Sequence, residues 1–126
     1  METMRVLDLS LKGCWYDMID SGEKKEEYRD FRPYYANRLL YGCNLGTKDY
    51  WETIFANSKT KPWFKPDMLL RDYGIRHYDA VRFHRGQGSP VTMLWEYEGL
   101  EIGKGKPEWG APEDKDVFII KLGKRL

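Results

Sequence analysis

Lys24, Glu27 and Arg29 set one carboxylate between two cations just after a glycine turn, in the run Ser21-Gly-Glu-Lys-Lys-Glu-Glu-Tyr-Arg-Asp-Phe-Arg32. Two cations can grip a phosphate, and a carboxylate between them can orient a polar ligand. Side chains of an extended chain alternate between faces, so Glu27 and Arg29 share one face if this run is a strand. Lys24 belongs to the turn and joins them if it folds over that face. Gly22 can supply the positive φ that a tight helix-to-strand turn needs. The same run also reads as a charged edge strand, because Lys and Glu on an edge discourage pairing with other chains, or as a buried ion pair that only supports the fold.

The flanking elements must deliver that run. Arg5 to Leu11 alternates Leu7, Leu9 and Leu11 with Val6, Asp8 and Ser10, the pattern of a half-buried strand. Trp15, Met18 and Ile19 recur at helical spacing and predict a short helix ending at Ser21-Gly22. Lys25 to Phe31 follows as the second strand, stopped by Pro33. Tyr35, Arg38 and Leu39 suggest a second helix over 34–40. Thr47 is placed to cap a helix over 48–56, and Pro66 opens a further helix closed by Gly74. Val81 and Phe83 alternate with Arg82 and His84 in a strand over 78–85. Met93, Trp95 and Tyr97 share a face in the longest strand, 91–102, where Gly99 marks a bulge or bend. A loop rich in Gly and Pro over 103–116 leads to an apolar, central strand over 117–122. About five strands with connections too short for regular crossover helices predict an α+β, mainly β protein with a small curled sheet.

Composition narrows the classes. The chain has 126 residues, enough for one domain with a single core, and 21 Lys plus Arg against 20 Asp plus Glu give no global field toward polyanions. Any nucleic-acid site is therefore a local patch. Cys14 and Cys43 are too few for a disulfide framework, and no Cys or His falls at a metal-ligand spacing. No metal and no cofactor are expected, so a chelator and a reductant should leave the thermal midpoint unchanged, and a fall of many degrees would reveal a missed staple. The first residues resemble neither a signal peptide nor a presequence and no apolar run is long enough for a membrane span, which predicts a cytoplasmic protein.

The order Leu9-Ser-Leu-Lys-(x)2-Trp15-(x)3-Ile19-(x)2-Gly22-x-Lys24-(x)2-Glu27-x-Arg29 resembles the signature of the ASCH family, a branch of the PUA-like superfamily, and its Gly-x-Lys-x-x-Glu-x-Arg core matches in full. The likeness resumes at Val81-Arg82-Phe83-(x)2-Gly86, at Gly103-x-Gly105-(x)3-Trp109-Gly110 and at Phe118-Ile-Ile-Lys-Leu-Gly123. Residues 37–74 match nothing in it and read as a partly helical insertion, a place where a protein partner could dock. The resemblance implies a PUA-like β-barrel of about five to six strands with short flanking helices, spanning 1–126, and a cleft toward which Lys24, Glu27 and Arg29 look.

It also implies a function class. PUA-like domains are commonly RNA-associated, so the first expectation is binding of RNA or a nucleotide-like ligand in that cleft. Lys12, Lys25, Arg32 and Arg82 would contact phosphate, and Trp15, Tyr34 or Trp109 would stack bases. Trp15 fits the apolar stripe of its helix equally well, and Lys12 and Arg32 also read as ordinary surface cations. The alternative is a hydrolase at the same place, because some ASCH-like proteins are amidohydrolases acting on acylated cytidine and others are similar to ribonucleases. That amidohydrolase branch shows Lys-x-x-Thr where this chain has Glu27, which removes the threonine nucleophile. Lys24 and Glu27 would then be catalytic, with Glu96 or Glu98 as a third group. His84, on the polar face of its strand, is a further candidate acid or base. An open cleft predicts that Glu27→Gln costs less than about 1 kcal/mol, because water can solvate the remaining cations.

Overall fold

The computed structural model of the chain describes residues 3–41, 70 and 74–126. The sequence-predicted helices over 48–56 and 66–74, Cys43 and most of the 37–74 insertion lie outside the described residues. Strand β1 (Val6–Leu11) carries the predicted alternation, with Leu7, Leu9 and Leu11 buried. Helix α1 (Gly13–Asp20) buries Tyr16 and Ile19. It ends where Ser21 N–H donates to Asp17 O and Lys24 N–H reaches back to Met18 O, both at 3.0 Å. Gly22, at φ 85°, makes that reversal possible. Strand β2 (Glu26–Arg29) is shorter than predicted, and Pro33 opens helix α2 (Pro33–Leu39) besides ending the extended run. A proline at the first helical turn loses no helix hydrogen bond.

Strands β3 (Ala80–Arg85), β4 (Thr92–Lys104) and β5 (Asp116–Arg125) complete a mixed sheet in the order β1-β3-β4-β5-β2. Among the described strands only β1 and β3 pair in parallel. The sheet curls into a half-barrel, and β1 and β2 are its edges. Register breaks between Trp95 and Gly99 put the irregularity where Gly99 predicted it. Strand β4 runs two residues past the predicted end, pairing Gly103 with Val117 and Lys104 with Asp116, so the 103–116 loop is shorter at its start. A 3-10 turn, Pro107–Trp109, occupies its middle.

The register of β2 on β5 sorts the charged run. Glu27 pairs with Ile120 and Arg29 with Phe118, both fully buried, while Glu26 pairs with Lys121 and Tyr28 with Ile119. Direct partners in an antiparallel pair point to one side, so Glu27 and Arg29 share the inner face as predicted. That face holds the main core, including Leu7, Leu9, Phe83, Phe118 and Ile120, and the helices add Ile19 and Leu39. The other face carries a smaller cluster of Tyr28, Ala111, Val117 and Ile119 with Trp109 against it. There the Tyr28 hydroxyl donates to Glu26 at 2.8 Å and accepts from Lys106 N–H at 3.1 Å, while Lys121 also holds Glu26. Burial opposes ionisation of Glu26, but the bonds from Lys121 and Tyr28 outweigh it and hold the carboxyl below the usual range. Among the described residues no helix is long and apolar enough to cross a membrane.

Candidate functional site

The turn after α1 brings Lys24 over the inner face of β2, where its Nζ donates to Glu27 Oε1 at 2.8 Å. Arg29 Nη2 donates to Glu27 Oε2 at 2.6 Å. The carboxylate therefore has a cation on each oxygen. Lys24 and Glu27 are only 2% and 5% exposed, which departs from the open cleft expected of the sequence. The cause is packing. The Lys24 ammonium lies 5.0 Å from the centre of the Trp15 ring and 5.5 Å from that of Tyr28, so two aromatic rings take up space that water would occupy. Gly110 closes over Trp15: at φ 97°, a Cβ there would lie 3.1 Å from the indole. Only glycine permits both that backbone and that approach.

Arg29 continues the cluster across the gap between the two sheet edges. Its Nη1 donates to Tyr35 Oη at 3.1 Å and its Nη2 to Ser10 O at 3.0 Å. Two residues back on β1, Asp8 O accepts from Arg38 Nη2 at 3.0 Å. Guanidinium groups from β2 and α2 thus satisfy carbonyls on β1 that no described strand covers, which also protects that edge from pairing. Arg29 Nε is buried and has no hydrogen-bond partner among the described residues.

Three hollows meet at Arg29. One of about 220 Å³ is lined by Lys12, Trp15, Lys24, Glu27 and Tyr28. A second of about 320 Å³ lies toward Asp30, Arg32 and Pro112. The third, about 580 Å³, opens between β1, α2 and the β3–β4 turn. The first resembles a cleft with the Lys24–Glu27 pair as its floor, and it can take an anion or ring edge between Lys12 and Trp15. Trp15 is half-buried and lines this hollow as well as packing on the core, so the two sequence-based readings of it are compatible.

The remaining sequence candidates divide. Lys12 and Arg32 line the two smaller hollows, and Tyr34 lines the largest. Arg32 is mostly solvated, 3.5 Å from Asp30. Trp109 instead joins the outer-face cluster, with Lys106 Nζ 4.1 Å from its ring centre. Glu96 and Glu98 line none of the three hollows and lie against Gly123 of β5. Arg82 and His84 meet Asp8 on the outer face of the β1–β3 pair, at 3.4 and 2.8 Å. Sequence reasoning missed Asp8, Tyr35 and Arg38 as site residues. The available signal was a guanidinium at Arg38, one turn from Tyr34 and beside Leu39 on a short helix, but nothing local tied it to Asp8.

No protein-family model, characterised protein or solved structure matches this chain.

Proposed function

We propose that this chain is a PUA-like domain of the ASCH type that binds RNA or a nucleotide-like ligand, in the cytoplasm, in the cleft floored by Lys24, Glu27 and Arg29. The observation that carries the reading is Arg29. It lines all three hollows, and its buried Nε–H has no partner among the described residues, where a donor so placed ordinarily has one. Lys12 and Arg32 flank it as exposed cations suited to phosphate, and Trp15 and Tyr35 supply rings. The buried Lys24–Glu27 pair fixes the direction of the Arg29 guanidinium by holding the carboxylate it leans on.

The test is fluorescence anisotropy of a labelled single-stranded RNA titrated at several salt concentrations. Binding should weaken with salt, and Lys12→Ala or Arg32→Ala should each reduce the slope by about 0.7 for every phosphate the side chain neutralises in wild type. Both residues are exposed, so the variants should melt as wild type does. Salt-independent binding, or none, would sink the RNA reading. The hydrolase reading has less support, since both oxygens of Glu27 are held by cations and a base needs a lone pair aimed at its substrate.

A further inference from the structure

The largest hollow is lined differently from the cleft. Its cation is Arg38, on α2 one turn after Tyr34, and among the described residues no carboxylate pairs with it. Its Nη1 donates to Tyr34 Oη at 2.6 Å and its Nη2 to Asp8 O at 3.0 Å, so a phenol and a backbone carbonyl fix the guanidinium plane. Those bonds use two of the five N–H donors that an arginine carries. The other charged groups lining the groove already have partners: Asp8 faces His84 and Arg82, and Arg29 shares Glu27 with Lys24. The field inside is therefore positive, from Arg38 and from the excess cation of the Lys24–Glu27–Arg29 cluster at its edge. Beside it stands the Tyr34 ring, 61% exposed, steadied by a T-shaped contact with Tyr35, ring centres 5.2 Å apart. A pre-aimed fork next to an exposed ring suits a bidentate anion joined to a flat group. The volume, about 580 Å³, is that of a small-molecule site, which typically spans roughly 300–1,000 Å³.

We propose that this groove is a subsite for a phosphate monoester borne by a nucleotide, with Arg38 gripping the phosphate and Tyr34 stacking the base. The choice of a nucleotide rests on the function proposed above; the anion site itself rests on Arg38 and stands apart from the Lys24–Glu27 hollow. The phosphate comes either from a free mononucleotide or from the 5′ end of an RNA strand.

Calorimetric titration of the full chain with AMP and with adenosine reads the subsite without any variant. AMP is expected to bind about tenfold or more tighter, the size of a hydrogen-bonded charge contact. Arg38→Gln should abolish that preference. Tyr34→Ala should weaken AMP about tenfold, whereas Tyr34→Phe, which keeps the ring and loses only the bond that Arg38 Nη1 donates to the phenol, should weaken it less. AMP binding no tighter than adenosine would overturn the proposal, as would an undiminished preference in a folded Arg38→Gln. Tetra-adenylate with and without a 5′-phosphate distinguishes the sources: a tenfold preference for the phosphorylated strand assigns the strand end, and equal binding assigns the mononucleotide. Loss of the AMP preference with salt-dependent RNA binding intact would sink this subsite alone. AMP preference without RNA binding would sink the cleft reading alone.

Discussion

Glu27→Gln is expected to lower the stability of the fold by about 3–5 kcal/mol, the usual cost of breaking a buried ion pair by removing one partner. The amide keeps the shape of the carboxylate and one acceptor oxygen, but it removes the charge that balances Lys24 Nζ and Arg29 Nη2, at 2.8 and 2.6 Å. Lys24, 2% exposed, cannot turn to water without leaving the Trp15 and Tyr28 rings. Cation–π contacts of about 0.5–2 kcal/mol do not replace a carboxylate. Denaturant unfolding beside wild type measures the loss. A cost under about 1 kcal/mol, as for an exposed pair, would mean that water reaches these cations and that the open cleft expected from sequence is correct after all. The double variant Lys24→Met with Glu27→Gln should recover part of the loss, because it removes a stranded charge along with its partner.

That reversal shows what the sequence could and could not convey. Alternation in β1 and β2 determined which side chains share a face, and period-two patterning depends only on the chain itself. It therefore placed Glu27 with Arg29, and the three leucines together, without reference to any tertiary neighbour. Burial of the pair depends on what covers it. The cover comes from Trp15 on α1, Gly110 in the late loop and Ile120 on β5, none of which announces its partner locally. The largest groove was illegible for the same reason: Asp8 and His84 lie 76 residues apart and meet only because β1 and β3 pair in parallel. Trp109 illustrates the converse dependence on tertiary neighbours. The resemblance suggested a stacking platform, but the loop's 3-10 turn aims it to the outer cluster, where Tyr28 and Val117 offered apolar surface. Likewise Glu96 and Glu98 entered as candidates through the family resemblance, and the choice between them stayed open because the strand's register, altered by its bulges, could not be read from spacing.

Phe118→Ala is expected to cost about 3–5 kcal/mol, the range for truncating a buried aromatic and leaving a cavity. Phe118 is fully buried and meets Phe31 edge-on, with ring centres 4.8 Å apart. It pairs with Arg29 on one side and Ile102 on the other, so it sits beneath the point where the short edge strand β2 attaches. Phe31 cannot fill the space without moving the turn that leads into α2, and with it Tyr34, Tyr35 and Arg38. Core and site should therefore fail together: denaturant unfolding reports the lost stability, and the affinity for AMP should fall in molecules that remain folded although every ligand-facing group is intact. A stability change within about 0.5 kcal/mol, the size of an ordinary surface substitution, would show that β2 is held by its hydrogen bonds to β5 and by the Glu26–Lys121 pair on the outer face, not by this ring.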